Sequence, residues 1–453
     1  MSDLHLGEED SVFMELKNDQ LGLSRKITQR VKELVQKELN GNQVDYLILA
    51  GDILELSLAT RVRAFESFRD FLQEFETLFK HVIYIPGNHD HHIWTALQEE
   101  AKIFHQIKSN KPVKEYYHAF IPKIRPDGIF TLEGEQIKPS YGDDIFLYKL
   151  LSKTKQKDKI MFLIAYPNVY LDLEEKILVT HGHFFEDAWT LFTDAIPNSL
   201  NLSYPSYKLL EQINSPFTEF GWYHLGQAGK LSELMEELWD NIHTGRNGTI
   251  DKLSDEITHY LDERLKFRPK NKKGLKAFID KIIGASLEYA SDQWLNLNVT
   301  ILKQLVLSQI SPEDPKTPGS ELRHAQNLFR DPRKKAKVET YLNIAVNSDE
   351  FALDALMFGH THTPWIPDKY NQGELTIGNK SIKTYNTGGW VADLLEPVSL
   401  RGSRPFILGI KDDGSVENID IPWPSKEMFE QAVKDTKDKM HIKAQIHKIM
   451  TED

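Results

Sequence analysis

The sequence predicts an α/β domain interrupted by a large helical insertion. Three observations carry this. Short apolar runs alternate with helix-spaced segments through the first third of the chain, long helical segments fill the middle, and strand texture returns after Leu353. In order, residues 21–39 carry helical spacing, 44–50 form a compact apolar strand, 60–80 are helical with an aromatic stripe, and 82–85 form a second strand. Strand, helix and strand at this spacing imply parallel crossover units. A strand-like stretch at 161–171 then meets 176–180 across the turn 172–175, which reads as a hairpin.

From 184 to 343 the helical segments 230–242, 250–267 and 287–310 follow, with a Pro-rich break at 311–319. Strands resume at 353–358, 383–386, 405–410 and 416–421, and the lysine-rich tail after Ser425 reads as a solvated amphipathic helix. The expected organisation is a discontinuous domain of residues 1–183 and 344–424, an inserted cap at 184–343 and a tail at 425–453.

The 453 residues could hold two or three ordinary domains or one domain swollen by an insertion. With 55 basic and 67 acidic residues the net charge is −12, which argues against a protein that lives on a nucleic-acid backbone. There is no cysteine, so disulfides and thiolate metal sites are excluded and any metal falls to His, Asp, Glu or Asn. The acidic start MSDLHLGEED does not resemble a signal peptide, and no run of about eighteen apolar residues occurs. A soluble cytoplasmic protein is the expectation.

Five segments end an apolar run in metal-competent residues: SDLHLG at 2–7, LILAGDILE at 47–55, YIPGNHD at 84–90, ILVTHGH at 177–183 and MFGHTHTP at 357–364. In an open α/β sheet, strand ends are where sites assemble. Residues two apart in an extended segment point to one side, so Asp3 and His5 are placed to grip one ion, and His360 and His362 to face one pocket. The glycines at 51, 87, 182 and 359 let the backbone turn so that the next residue reaches inward. Taken singly, His5 or His181 reads more naturally as an ordinary polar residue near a strand end.

The ordered set D-x-H, G-D, G-N-H-D, H-G-H and G-H-T-H resembles the calcineurin-like metallophosphoesterase superfamily, over residues 1–185 and 345–420. The resemblance implies an αββα sandwich with two divalent ions at the strand ends. It implies that Asp3, His5 and His362 hold the first ion, that Asn88, His181 and His360 hold the second, and that Asp52 bridges both. Manganese is the favoured metal, with Fe, Zn, Ni and Mg as alternatives. It further implies hydrolysis of a phosphomonoester, phosphodiester or pyrophosphate by metal-activated hydroxide, with His89 as general acid. The implied partners are a phosphorylated small molecule, a nucleotide or a lipid. Peripheral membrane contact is compatible with this, and the oligomeric state is left open.

Neighbouring residues have their own expected places. Asp90 is a weaker candidate to orient His89. Glu55, three residues after Asp52, could bond within its loop or approach metal-bound water. His183 could contact substrate or support a ligand. His91 and His92 read as the solvated start of the next helix, and YNTGGW at 385–390 as a structural closure beneath the site. The aromatic residues Phe184, Phe185, Trp189, Phe192, Trp222, Tyr223, Trp239 and Trp294 read as the insertion's own core, with a lid over the metals as the alternative.

One departure from the family pattern stands out. The apolar strand that precedes the first motif is missing, which suggests a natural start further upstream, the alternative being a protein that tolerates losing a central strand. The stretch YPNVYLDLEEKILVTHGH also looks like the branch containing bacterial UDP-diacylglucosamine pyrophosphatases, but those carry arginine where this chain has His89, and the insertion here is far larger. A nuclease of the same superfamily and a non-catalytic scaffold on the same fold are the alternative readings. RDPRKKAK at 330–337 is the one dense basic cluster and reads as a solvated helix face. Salt-dependent retention on DNA would mark the nuclease, and lost ligands would mark the scaffold.

Overall fold

A computed structural model describes residues 1–17, 20–115, 119–132, 135–137, 161–185, 332–345, 353–362, 375–377, 380–395, 399–401, 404–425 and 439–451, with single positions elsewhere, among them 189, 190, 210, 211, 214, 215, 218, 219 and 223. The helical segments expected at 230–242, 250–267 and 287–310, the break at 311–319, and Phe192, Trp222, Trp239 and Trp294 lie outside the described residues.

The chain opens with a strand pair, β1 (Met14–Lys17) and β2 (Gln20–Leu23), so the helix expected from residue 21 begins later, as α1 (Arg25–Glu38). β3 (Val44–Ala50) follows, then α2 (Arg61–Phe75), whose Thr60 side chain accepts the Arg63 N–H as an N-cap. The α2 core face repeats at helical spacing, with Ala64, Phe68, Phe71, Leu72 and Phe75 buried. The helix stops before residue 80 because the sheet claims the next residues: Val44 N–H donates to Leu78 O, and Phe79 opens β4 (Phe79–Ile85) beside Val44.

α3 (His92–Glu99) continues through a π-helical turn, Glu100–Phe104, into α4 (His105–Lys108). Next come β5 (Lys123–Ile124), β6 (Phe130–Leu132), β7 (Glu135–Ile137), β8 (Met161–Ile164), β9 (Asn168–Asp172) and β10 (Lys176–Thr180). After α5 (Pro332–Ala345) the strands are β11 (Ala355–Phe358), β12 (Leu375–Ile377), β13 (Lys380–Asn386), β14 (Asp393–Leu395), β15 (Ser399–Arg401), β16 (Phe406–Ile410) and β17 (Val416–Asp420), and the chain closes with α6 (Lys439–Thr451).

Two sheets organise eleven of these strands, while β1-β2, β14-β15 and β16-β17 pair separately. One is β3-β4-β8, all parallel; the other is mixed, in the order β12-β13-β11-β10-β9-β5-β6-β7. The hairpin expected across residues 172–175 is present as antiparallel β9 and β10. The single strand expected at 161–171 is instead two strands in different sheets, separated at Ala165–Pro167, where the Tyr166–Pro167 peptide is cis. Proline donates no ladder hydrogen bond, so the chain changes layer there.

Period-two alternation shows the layering. Ile83 and Ile85 of β4, Leu163 of β8, Ile177 and Val179 of β10, and Ala355 and Met357 of β11 join one core cluster. Their alternates Val82, Tyr84, Phe162, Ile164, Leu178, Leu356 and Phe358 join another, shared with α1 and α2. The first cluster is thus the space between the sheets and the second is the helix-facing layer, an α/β sandwich.

The tail helix is not solvated as expected. In α6, Ile446 and Met450 are fully buried, Lys443 Nζ donates to Glu9 O, and His447 Nε2 donates to Val12 O at 2.8 Å.

Candidate metal centre

The carboxyl ends of β3, β4, β10 and β11 deliver the predicted residues, and residues 3–6 run beside the end of β3. Asp3, His5 and Leu6 N–H groups donate to Gly51, Asp52 and Ile53 carbonyls at 2.9, 3.0 and 2.8 Å. The extended geometry expected for this segment is not what turns the side chains inward. Asp3, His5, Asp52, His360 and His362 all have left-handed φ, at 54°, 46°, 51°, 65° and 52°. Among the described residues the only other non-glycine positions with positive φ are Asn40 and Asn110. That conformation costs a residue with a Cβ about 1–2 kcal/mol, and His, Asp and Asn tolerate it best.

Among the described residues the potential ligand atoms converge in three groups, one of them His5, Glu55 and His89, and two of them match the predicted ligands. Of these two, Asp3, His5 and His362 form one, and Asp52, His181 and His360 the other, with the potential ligand atoms of each set within 4.8 Å of one another. In the first, His5 Nε2 lies 3.2 Å from His362 Nε2, which is 3.4 Å from Asp3 Oδ1. In the second, His181 Nε2 lies 3.1 Å from both Asp52 Oδ2 and Asn88 Oδ1. Asp52 also stands between the sets, 3.9 Å from His5 Nε2.

The hydrogen bonds fix the tautomers. His181 Nδ1 donates to Ala50 O at 3.0 Å and His5 Nδ1 donates to Glu55 Oε2 at 2.8 Å, so both Nε2 atoms are turned inward to the centre. These Nε2 atoms face carboxylate and amide oxygens at hydrogen-bond distance, a donor set that a divalent cation could share. Burial opposes ionisation of Asp52, but His181 and His89 outweigh it and hold the carboxyl well below the usual range. Burial likewise opposes charge on His181, yet Asp52 raises it to about 9. Imidazole and carboxylate donors without thiolate suit Mn, Fe or Zn, and the residues fit the divalent ions that the resemblance implies.

Glu55 is the residue whose role the sequence left open, and the structure gives it two at once. Its Oε1 accepts the Ser57 and Leu58 N–H groups, both at 2.8 Å, while Oε2 receives both His5 Nδ1 and His89 Nδ1. Desolvation works against a charged His89, but Glu55 and Asp52 prevail and raise it to about 9. Asp90 does not orient His89. It is fully buried and accepts the Ile53, Leu54 and Gly87 N–H groups and the Tyr84 hydroxyl, tying the second motif to the third.

The YNTGGW segment props the first set. Trp390 N–H donates to Asp3 O at 3.1 Å, Asn386 Nδ2 donates to Gly359 O at 2.8 Å, and Ser2 Oγ bonds both Asp3 Oδ2 and Thr387 Oγ1. Gly51 combines a φ of +87° with a Cβ position that would overlap His181 Nδ1, and a Cβ on Gly389 would lie 2.7 Å from His362 Cγ. No other residue fits either place without displacing an imidazole.

His91 and His92 are not solvated. His91 is buried between Glu211 and Glu219, with Nε2 2.8 Å from Glu211 Oε1 and Nδ1 2.5 Å from Glu219 Oε1. His92 Nδ1 reaches Glu219 Oε2 at 2.9 Å while its ring stacks on Tyr223 at 3.6 Å. Histidines that begin α3 therefore hold a segment more than a hundred residues away, a pairing with no local sequence signal.

Phe184 and Phe185 belong to the helix-facing layer of the sandwich, with Phe185 against Phe358 at 5.4 Å and Tyr341 of α5 at 5.1 Å. Trp189 is buried with its ring 6.4 Å from those of His183 and His360. His183 is also buried, and its Nε2 shares a 3.2 Å hydrogen bond with the Tyr166 hydroxyl.

The family model for calcineurin-like phosphoesterases matches residues 1–224. No curated protein matches the chain.

Proposed function

Since residues 1–224 match the calcineurin-like phosphoesterase family, we propose that this chain hydrolyses a phosphomonoester, phosphodiester or pyrophosphate bond with two divalent ions, manganese foremost. Asp3, His5 and His362 would hold one ion, Asn88, His181 and His360 the other, and Asp52 both. Bound there, the ions would supply positive charge against the phosphoryl oxygens and lower the pKa of water.

The chain's own residues supply the remainder. Glu55 holds the His89 ring by Nδ1, which leaves Nε2 to give a proton to the leaving-group oxygen as the P–O bond breaks. Asp52 Oδ1 accepts the His89 backbone N–H at 2.9 Å, which ties the acid's main chain to the shared carboxylate. Water adds to phosphorus and gives up a proton to solvent, the departing alcohol or phosphate takes the imidazolium proton as the P–O bond breaks, and a proton from solvent restores the imidazolium.

The observation that carries this reading is the convergence of Asp3, His5 and His362 and of Asp52, His181 and His360, each group with its potential ligand atoms within 4.8 Å of one another. It is tested with chromogenic phosphomono- and diesters in added Mn²⁺. Asp52→Ala should lose turnover and metal together, and His89→Ala should lose turnover while retaining metal by elemental analysis. Unchanged rates in both variants would overturn the proposal.

A further inference from the structure

We infer that the segment 101–114 is a membrane contact that seats this protein on anionic lipid. The inference stands apart from the hydrolytic reading, because none of its residues belongs to the metal centre. α3, the π-helical turn and α4 form one continuous helical run whose inward positions are Ile93, Trp94 and Gln98, resuming at Gln106. The wide turn at Glu100–Phe104 shifts the register, so Phe104 and Ile107 fall outward, 48% and 60% exposed.

The chain then folds back on the helix. Asn110 takes a left-handed φ of 53°, Lys111 N–H donates to Gln106 O at 2.8 Å, and Lys114 N–H donates to Lys102 O at 3.0 Å. This brings Val113, 55% exposed, to the same end of the run. Three of the six large hydrophobic side chains found exposed among the described residues are therefore in this one short segment.

Charge identifies the occupant. Residues 101–114, AKIFHQIKSNKPVK, contain Lys102, Lys108, Lys111 and Lys114 and no acidic residue, in a chain whose net charge is −12. Lys108 makes a 3.6 Å pair with half-buried Glu100, but its own side chain is 71% exposed, so solvent screens the pair. A nucleic-acid backbone would take the lysines and leave Phe104, Ile107 and Val113 in water. The boundary of an anionic bilayer takes both, with apolar side chains among the acyl chains and ammonium groups at the headgroups.

Co-sedimentation with phosphatidylcholine vesicles, with and without phosphatidylglycerol, tests this on the full chain. Binding is expected only to vesicles containing phosphatidylglycerol, and should weaken as salt rises. K108E/K111E/K114E should reduce partitioning by more than about a hundredfold, at roughly fivefold per lysine neutralised, and F104S/I107S by about tenfold per side chain. Both variants should turn over a soluble chromogenic ester like the parent chain. K111E alone, at an exposed position, gives the same reading if the triple variant does not fold. The inference is overturned if the parent binds neither vesicle, if the variants bind as the parent does, or if F104S/I107S dissociates an oligomer seen by light scattering while vesicle binding is absent.

Discussion

Glu55 Oε2 lies 2.7 Å from His89 Nδ1, while Oε1 of the same carboxylate is fixed by two backbone N–H groups. The acid of the proposed reaction is therefore oriented by a group that cannot swing away. Glu55→Gln is expected to lower kcat about 10–100-fold, since positioned acid catalysis contributes on the order of 10²–10⁴. The loss should be larger for an alkyl phosphate than for a nitrophenyl ester, whose leaving group needs little proton assistance. Equal losses on both substrates would remove His89 from the acid role.

Removing metal should be felt as lost stability, because the two donor sets gather carboxylates and imidazoles that are mostly buried. Mn²⁺ at a hundred times its Kd is expected to add about 2.7 kcal/mol per independent site, a rise in Tm of several degrees. Dialysis against a chelator should abolish that rise, and Asp52→Ala should show little of it. A thermal shift series with and without chelator measures this, and an Asp52→Ala response equal to that of the parent chain would contradict the shared-carboxylate reading.

Gly389→Ala places a methyl group 2.7 Å from His362 Cγ. Overpacking of this kind costs about 1–3 kcal/mol, and the displaced ring should take the first donor set with it. Metal content by elemental analysis should fall towards half that of the parent while the fold persists by circular dichroism. Full metal content would show that the His362 ring can move aside without consequence.

The clamp between His91 and the two glutamates should make stability depend on pH, in a calculable direction. Burial disfavours charge on His91, but Glu211 and Glu219 outweigh it and raise it from its ordinary 6.5 to about 10. Its contribution is fully present below about 6.5 and is lost as pH rises through about 10. Glu219 is partly desolvated, but His91 and His92 hold it well below its ordinary 4.5, so its share is present above 4.5 and lost as pH falls below it. Melting temperatures should plateau between these limits, and His91→Gln should flatten the alkaline decline. An unchanged alkaline limb in that variant would place the titration elsewhere.

Much of this architecture is written locally. The period-two pattern of residues 82–85 and 353–358 announces strands, and the five endings announce a site, because short apolar runs and metal-competent residues are local properties. Other features depend on distant chain. Helix α2 stops early because Val44 pairs with the residues beyond it. One expected strand becomes β8 and β9 because the chain changes sheet at Pro167. The partners of His91 come from Glu211 and Glu219, and nothing near position 91 announces them. Glu55 was visible as an acidic neighbour of Asp52, but its double grip on His5 and His89 needs three segments in register.

The left-handed turns at Asp3, His5, Asp52, His360 and His362 mean that the centre is drawn by main-chain torsions as much as by side-chain identity. Transplanting these imidazoles and carboxylates onto ordinary strands of another scaffold would aim them wrongly. The portable unit is each whole loop, with its torsions and the carbonyls that hold them.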